Sequence, residues 1–196
     1  MQSDDEQDII SRCRKGDVEA FEVLVKAHQG KMFNIAYRIT GDADDAAEVV
    51  QDAFVSAHRN LKMFEQRSRF STWLYSITVN ASRNRLSQIR ARKVHEAHSL
   101  DDPPSPDCGK KRREPASGEP SALDQLTRKE QQGKIQECLN RLEPEFREVI
   151  VLRDVQGFAY DEIGTMLGLA AGTVKSRLFR ARESVKTCLK KLLGDR

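Results

Sequence analysis

The sequence predicts an all-α chain of two small helical domains, joined by a flexible Pro-rich linker. Two observations carry this. Apolar residues recur every three or four positions through both halves of the chain, with no sustained strand alternation. Five of the six prolines (Pro103, Pro104, Pro106, Pro115 and Pro120) fall between Asp101 and Pro120, together with Gly109, Gly118 and several serines. Proline removes backbone donors and blocks helix, and this stretch has few apolar residues to bury. The domains are then residues 1–95 and 122–196, with residues 96–121 as linker. Each half is near the lower size at which a helical core supports itself.

In the first domain, Phe21, Leu24, Val25, Met32, Ile35, Ala36 and Ile39 mark an amphipathic helix or a closely joined pair. Gly41 stops it, and Asp42 or Asp44 is suited to cap the next helix. That second helix carries Val49, Val50, Ala53, Phe54, Ala57 and Leu61 on one side, and Asp45, Glu48 and Asp52 on another. A third helix holds Phe70, Trp73, Leu74, Ile77 and Ala81, with Ser71 near its start as the expected N-cap. In the second domain, Ile135, Leu139 and Leu142 define a helix ending before Pro144. Another opens at Glu143 and Pro144, runs through Phe146, Val149, Ile150 and Leu152, and stops at Gly157. A short helix follows from about Tyr160 to Leu167, broken by Gly168. The last begins near Ala171 and carries Val174, Leu178, Ala181, Val185, Leu189 and Leu192.

The net charge of +3 hides a segmented distribution. Residues 66–95 hold Arg67, Arg69, Arg83, Arg85, Arg90, Arg92 and Lys93 and no acid, a local charge of +7. Residues 172–192 hold seven Lys and Arg against Glu183 alone, a local +6. Between Gly41 and Ala57 the sign reverses, with Asp42, Asp44, Asp45, Glu48 and Asp52 facing no cation. Two basic segments and one acidic segment point to two anion-binding surfaces and a separate basic partner. The four cysteines (Cys13, Cys108, Cys138, Cys188) are far apart with no Cys-x-x-Cys pair, so neither a metal site nor a disulfide framework is expected. The polar, acidic start from Met1 to Asp8 does not resemble a signal peptide, and no apolar run reaches membrane-spanning length. The expected compartment is the reducing cytoplasm.

A short helix, a Gly-containing turn and a longer basic helix make the arrangement of a helix-turn-helix, here Tyr160 to Arg180. Ile163 and Leu167 are expected to pack on Val174 and Leu178, with Gly164 small enough to let the helices approach. Thr173, Lys175, Ser176, Arg177 and Arg180 then line the outer face, where such side chains reach phosphates and base edges in a major groove. In the first domain, aromatics and Asn80 set among cations suit an unpaired base, which stacks and hydrogen-bonds while the cations hold the backbone. Phe64 is expected to face solvent in a loop. Trp73 shares the apolar stripe of Phe70, Leu74 and Ile77 and reads as core; Tyr75 stays open between the two.

Gly172-Thr173-Val174-Lys175-Ser176-Arg177-Leu178 followed by Arg180-Ala181-Arg182, with Tyr160-Asp161-Glu162-Ile163 before it, resembles region four of extracytoplasmic-function sigma factors. The family usually has Ser or Pro before the recognition helix, where this chain has Ala170 and Ala171. Asp45-Ala46-Ala47-Glu48-Val49-Val50-Gln51-Asp52-Ala53-Phe54 resembles the region-two helix that grips the largest polymerase subunit. Phe70-Ser71-Thr72-Trp73-Leu74-Tyr75, then Ile77-Thr78-Val79-Asn80, is similar to the family's downstream-element segment.

The resemblance implies an alternative, stress- or envelope-responsive sigma factor that binds core RNA polymerase and directs promoter-specific initiation, with no catalysis and no cofactor. It implies polymerase contacts at Asp45, Glu48, Val49, Gln51, Asp52 and Phe54, toward a coiled coil of the largest subunit. A second contact falls on the flap of the second-largest subunit. Downstream-element contacts fall at Phe64, Arg67, Arg69, Asn80, Arg83 and Arg85, and upstream-element contacts at Thr173, Lys175, Ser176, Arg177 and Arg180. An anti-sigma factor is a further implied partner. Family linkers are often acidic, whereas this one contains Lys110-Lys111-Arg112-Arg113. A free-standing helix-turn-helix regulator would account for the second domain but leave the acidic helix and the segment from Phe64 to Asn80 without purpose. A metal-dependent nuclease built on Asp45 fits less well, because one helix face supplies converging ligands poorly.

Overall fold

A computed structural model describes the backbone of residues 3–65, 68–99 and 122–193, and the side chains of residues 6–65, 68–92 and 130–193. Among the described residues there is helix and no strand. Helix α1 (Ser3–Arg14) precedes α2 (Val18–Thr40), α3 (Ala43–Asn60) and α4 (Phe70–Ser99), which pack on one another. The helices of the second half are α5 (Ala122–Asn140), α6 (Pro144–Ile150), α7 (Tyr160–Leu167) and α8 (Ala171–Leu193). A π-helical stretch, Val151–Val155, extends α6.

Local chemistry sets the boundaries. Gly41 ends α2 in the left-handed region at φ 84°, its N–H donating to the Tyr37 carbonyl. One residue later Asp42 opens α3 by accepting from the N–H groups of Asp44 and Asp45. The chain thus reverses within two residues, which lays α3 against α2. Helix α4 begins at Phe70, so Ser71 lies inside its first turn and is not the cap. It runs on to Ser99, four residues into the segment assigned to the linker. The rest of the linker, residues 100–121 with the basic run Lys110 to Arg113, lies outside the described residues, as does Arg67. In the second half, Glu162 reaches back to accept from the Ala159 N–H at 2.8 Å, fixing the start of α7. Gly168, at φ 66°, ends it.

The core does not divide as the sequence suggests. A single cluster of buried side chains includes Leu24, Met32, Ile35, Phe70 and Leu74 from the first half and Val149, Leu152, Ile163, Val174 and Leu178 from the second. Each such side chain contributes about 1.5–3 kcal/mol when taken fully out of water. The two halves are packed on each other.

Candidate functional site

The acids of α3 form a continuous outer face. Glu48, Gln51 and Asp52 are exposed and Asp45 is half-buried. Facing them from α4 is Arg85, whose guanidinium donates to Asp45 at 2.7 Å and pairs with Glu48 at 2.5 Å. The hydrogen bond to Asp45 raises the arginine's pKa. Arg85, assigned from sequence to DNA, therefore meets the acidic surface instead. A groove of about 350 Å³ runs between the two helices and is lined by Glu48, Asp52, Ser56, Asn80 and Asn84. Val49 and Phe54 are 2% and 7% exposed, so neither stands on the outer acidic face, although Val49 lines the floor of the groove. They lie on the inward face of α3, where Phe54 meets the edge of Phe21. Their part is to hold the acidic face in place.

Phe64 is corrected too. It is only 5% exposed, and its ring stacks on Trp73 with centroids 4.9 Å apart and meets Phe70 edge-on at 5.9 Å. The Arg14 guanidinium donates to the Phe64 carbonyl, tying the loop to α1. A short 3-10 turn at Leu61–Met63 aims the aromatic inward. Trp73 is half-buried. Asn80 is exposed and lies two turns further along α4, in the groove beside Asp52 that Phe64 does not line. The resemblance implied downstream-element contacts at both Phe64 and Asn80; the structure does not bring them together. Arg69 is exposed.

The helix-turn-helix forms as expected. Ile163, Leu167, Val174 and Leu178 are all buried in the core cluster. A Cβ at Gly164 would stand 2.7 Å from the Leu169 carbonyl oxygen, so glycine lets the turn close. On α8, Lys175, Ser176 and Arg180 are exposed and Thr173 is half-buried. Arg177 is half-buried and pairs with Glu145 of α6 at 2.9 Å. Phe179, 69% exposed between these cations, is a feature that sequence reasoning did not single out. Arg153 and Lys175 lie over the Tyr160 ring at 4.9 and 5.9 Å, bracing the first helix of the motif.

Several residues join the halves, and little in the chain's local pattern marks them. Arg83, assigned to DNA, donates twice to Glu148 of α6, at 2.8 and 2.5 Å. That bond raises the arginine's pKa. Glu148 is 2% exposed. Arg147 donates to the carbonyls of Ile39, Asn140 and Leu142, and burial lowers its pKa. Gln136 accepts from Arg38 and donates toward the carbonyls of Tyr37 and Arg38. The second half thereby satisfies the Arg38 and Ile39 carbonyls at the end of α2. Tyr75, left open by the sequence, is buried, donates to Gln156 and meets Phe158 edge-on. The one available signal was Arg147-Glu148 set within the apolar run from Phe146 to Leu152, since charges at core positions need partners.

The cysteines overturn another expectation. Cys138 of α5 and Cys188 of α8 form a disulfide, with Cα atoms 5.7 Å apart across a sequence separation of 50. That separation hides the pair from any reading of spacing. Among the described residues no helix is long and apolar enough to cross a membrane. Nor do any three of their His, Cys, Asp and Glu side chains converge as a metal site.

Residues 24–92 match the family model for Sigma-70 region 2, and residues 132–185 that for Sigma-70 region 4. The RNA polymerase sigma-H factor of Pseudomonas aeruginosa is 32% identical, over 100% of this chain and 99% of its own length. The ECF RNA polymerase sigma-E factor of Escherichia coli K12 is 34% identical, over 96% of both chains. Among solved structures, the sigma factor RpoE of Bartonella quintana, in complex with the anti-sigma factor NepR, is similar at a TM-score of 0.66 and 26% identity, covering 90% of this chain and 98% of that one. CnrH in complex with the cytosolic domain of CnrY shares the fold at a TM-score of 0.64 and 24% identity, over 95% of this chain and 98% of that one. The likeness extends over both halves, so a lone helix-turn-helix regulator is not favoured. With both regions matched in order and relatives aligned almost end to end, the chain belongs to the extracytoplasmic-function group of the sigma-70 family, the sigma factors that direct promoter-specific transcription initiation.

Proposed function

We propose that this sigma factor divides its work between three surfaces. The exposed acids Glu48 and Asp52, with Gln51 and the partly shielded Asp45, dock on a basic coiled coil of the largest polymerase subunit. Asn80, with Arg69, engages the downstream element as it opens, while Phe64 packs in the core against Trp73 and Phe70. Thr173, Lys175, Ser176 and Arg180, joined by Arg177 once it leaves Glu145, read the upstream element. The observation that carries this reading is the exposed stripe of Lys175, Ser176 and Arg180 on a helix held rigidly by the Gly164 turn. A groove of about 720 Å³ along α6 and α8, with Ile150, Val185, Leu189 and Leu193 flanked by Asp154, Arg182, Lys186 and Lys190, suits the flap of the second-largest subunit. The protein acts in the cytoplasm, where core polymerase is, and performs no catalysis of its own.

The solved complex of the similar sigma factor RpoE with the anti-sigma factor NepR supports an anti-sigma factor as a further partner. In the packed arrangement Arg83 and Arg85 are both paired with acids of the chain. Their use on DNA requires those pairs to open.

The test is charge reversal at the docking face. Replacing Glu48 and Asp52 together with Lys sets like charges against a basic partner and is expected to weaken core binding by several kcal/mol. The fold should survive, because both side chains lie off the buried face of α3 and Arg85 keeps Asp45 as a partner when its pair with Glu48 is lost. Copurification with core polymerase at wild-type affinity would remove α3 as the docking element.

A further inference from the structure

The disulfide joins two parts of the second domain with different tasks. Cys138 sits in the last turns of α5, between Gln136, which grips the end of α2, and Asn140, which lies beside it. Gln136 accepts from Arg38 and donates toward two α2 carbonyls, and the Asn140 carbonyl accepts from Arg147. The Asn140 side chain lies against Gly41. Cys188 is on α8, the helix whose first turns carry the upstream-element residues. The Cα separation of 5.7 Å lies within the range that a disulfide spans without backbone movement. Disulfides inside cells are usually transient and redox-sensing.

We propose that Cys138 and Cys188 form a reversible thiol–disulfide site, whose oxidation state sets how firmly α5 holds the two halves of the chain together. The oxidant is a peroxide and the reductant a dithiol. Cys188 is 8% exposed and Cys138 1%, so Cys188 is the sulfur a small oxidant reaches first. Its thiolate attacks one peroxide oxygen, the O–O bond breaks, and the leaving oxygen departs as water with the proton taken from the thiol. The Cys188 sulfenic acid is then attacked by the Cys138 thiolate. The S–S bond forms, the S–O bond breaks, and a second water leaves. Two thiols have been oxidised by two electrons and one peroxide reduced to two waters. Reduction by a dithiol reverses the outcome through a mixed disulfide. Cys13 is buried in the first half, where desolvation raises its pKa and keeps it a thiol.

The experiment uses the full chain, reduced with dithiothreitol and then treated with hydrogen peroxide. Oxidation is expected to remove two of the four titratable thiols and to yield one linked peptide containing Cys138 and Cys188. Closing a loop of this length constrains the opened chain. Amide exchange over residues 136–140 and 37–41 should therefore be roughly tenfold or more slower in the oxidised protein than in the reduced one. The variant C188S should exchange like the reduced chain and stop responding to peroxide. Should C188S fail to fold, the reduced wild type supplies the same comparison. Four thiols remaining after peroxide, a link through Cys13 or Cys108, or equal exchange in the two redox states would each overturn the proposal.

Discussion

Phe64 and Asn80 look alike as candidates in the sequence and behave differently in the structure. Phe64 packs between Phe70 and Trp73, so Phe64→Ala removes a core ring and should cost roughly 3–5 kcal/mol of stability. Any loss of promoter opening in that variant carries the unfolding with it. Asn80 is exposed, and Asn80→Ala should leave the urea midpoint unchanged while losing about 1–3 kcal/mol of base recognition. Permanganate reactivity of promoter thymines measures this, and normal melting by a stably folded Asn80→Ala would remove it from the downstream-element set. Arg177 is also changed by its surroundings. Half-buried against Glu145, Arg177→Ala should lower upstream-element affinity by roughly 1–3 kcal/mol if the guanidinium reaches a base, and only on matched DNA. Equal losses on matched and scrambled duplexes would leave it a phosphate contact.

At the scale of the helices, two glycines hold geometry that any side chain would strain. Gly41 ends α2 at φ 84°, and a Cβ there would stand 2.5 Å from the Asn140 side-chain oxygen. Gly41→Ala thus combines left-handed strain of about 1–3 kcal/mol with a clash between the halves. The second variant Asn140→Ala should recover the clash but not the strain, and a double-mutant cycle by urea unfolding separates the two. Additive losses would show that the clash is not felt. Gly164 instead protects the turn of the DNA-reading motif. The cap of α3 was legible directly, since Asp42 stands between a helix-stopping glycine and an apolar-periodic run. The inward aim of Phe64 was not, because a three-residue 3-10 turn leaves no periodic signal.

For the whole molecule, the decisive groups are the charges shared between the halves. Removing one partner of a buried pair leaves the other desolvated. Arg83→Ala therefore abandons Glu148 at 2% exposure and should cost about 2 kcal/mol, limited by the halves parting to rehydrate the carboxylate. Parting would increase the radius of gyration in small-angle scattering. An unchanged radius together with unchanged stability would mean that the Arg83–Glu148 pair does not hold the halves together in solution. Arg147→Ala should part them as well, since one guanidinium serves carbonyls from α2 and from the loop before α6. Arg147→Lys should recover little, because a single ammonium does not reproduce that fork.

The sequence alone determined helices α2, α3 and α6 to α8, the helix-turn-helix and the segmented charge, whereas α1 went unread. These depend on contacts within a few residues: the period of apolar side chains, a glycine at a stop, an aspartate at a start. It also determined the family, because two motif blocks in order are written along the chain. Only the tertiary structure decided what those charges face. Arg83 and Glu148, Arg85 and Asp45, and Cys138 and Cys188 are brought together by helix packing. An arginine aimed at a phosphate and one aimed at a carboxylate are the same letter. Their difference lies in partners tens of residues away, which local periodicity does not encode.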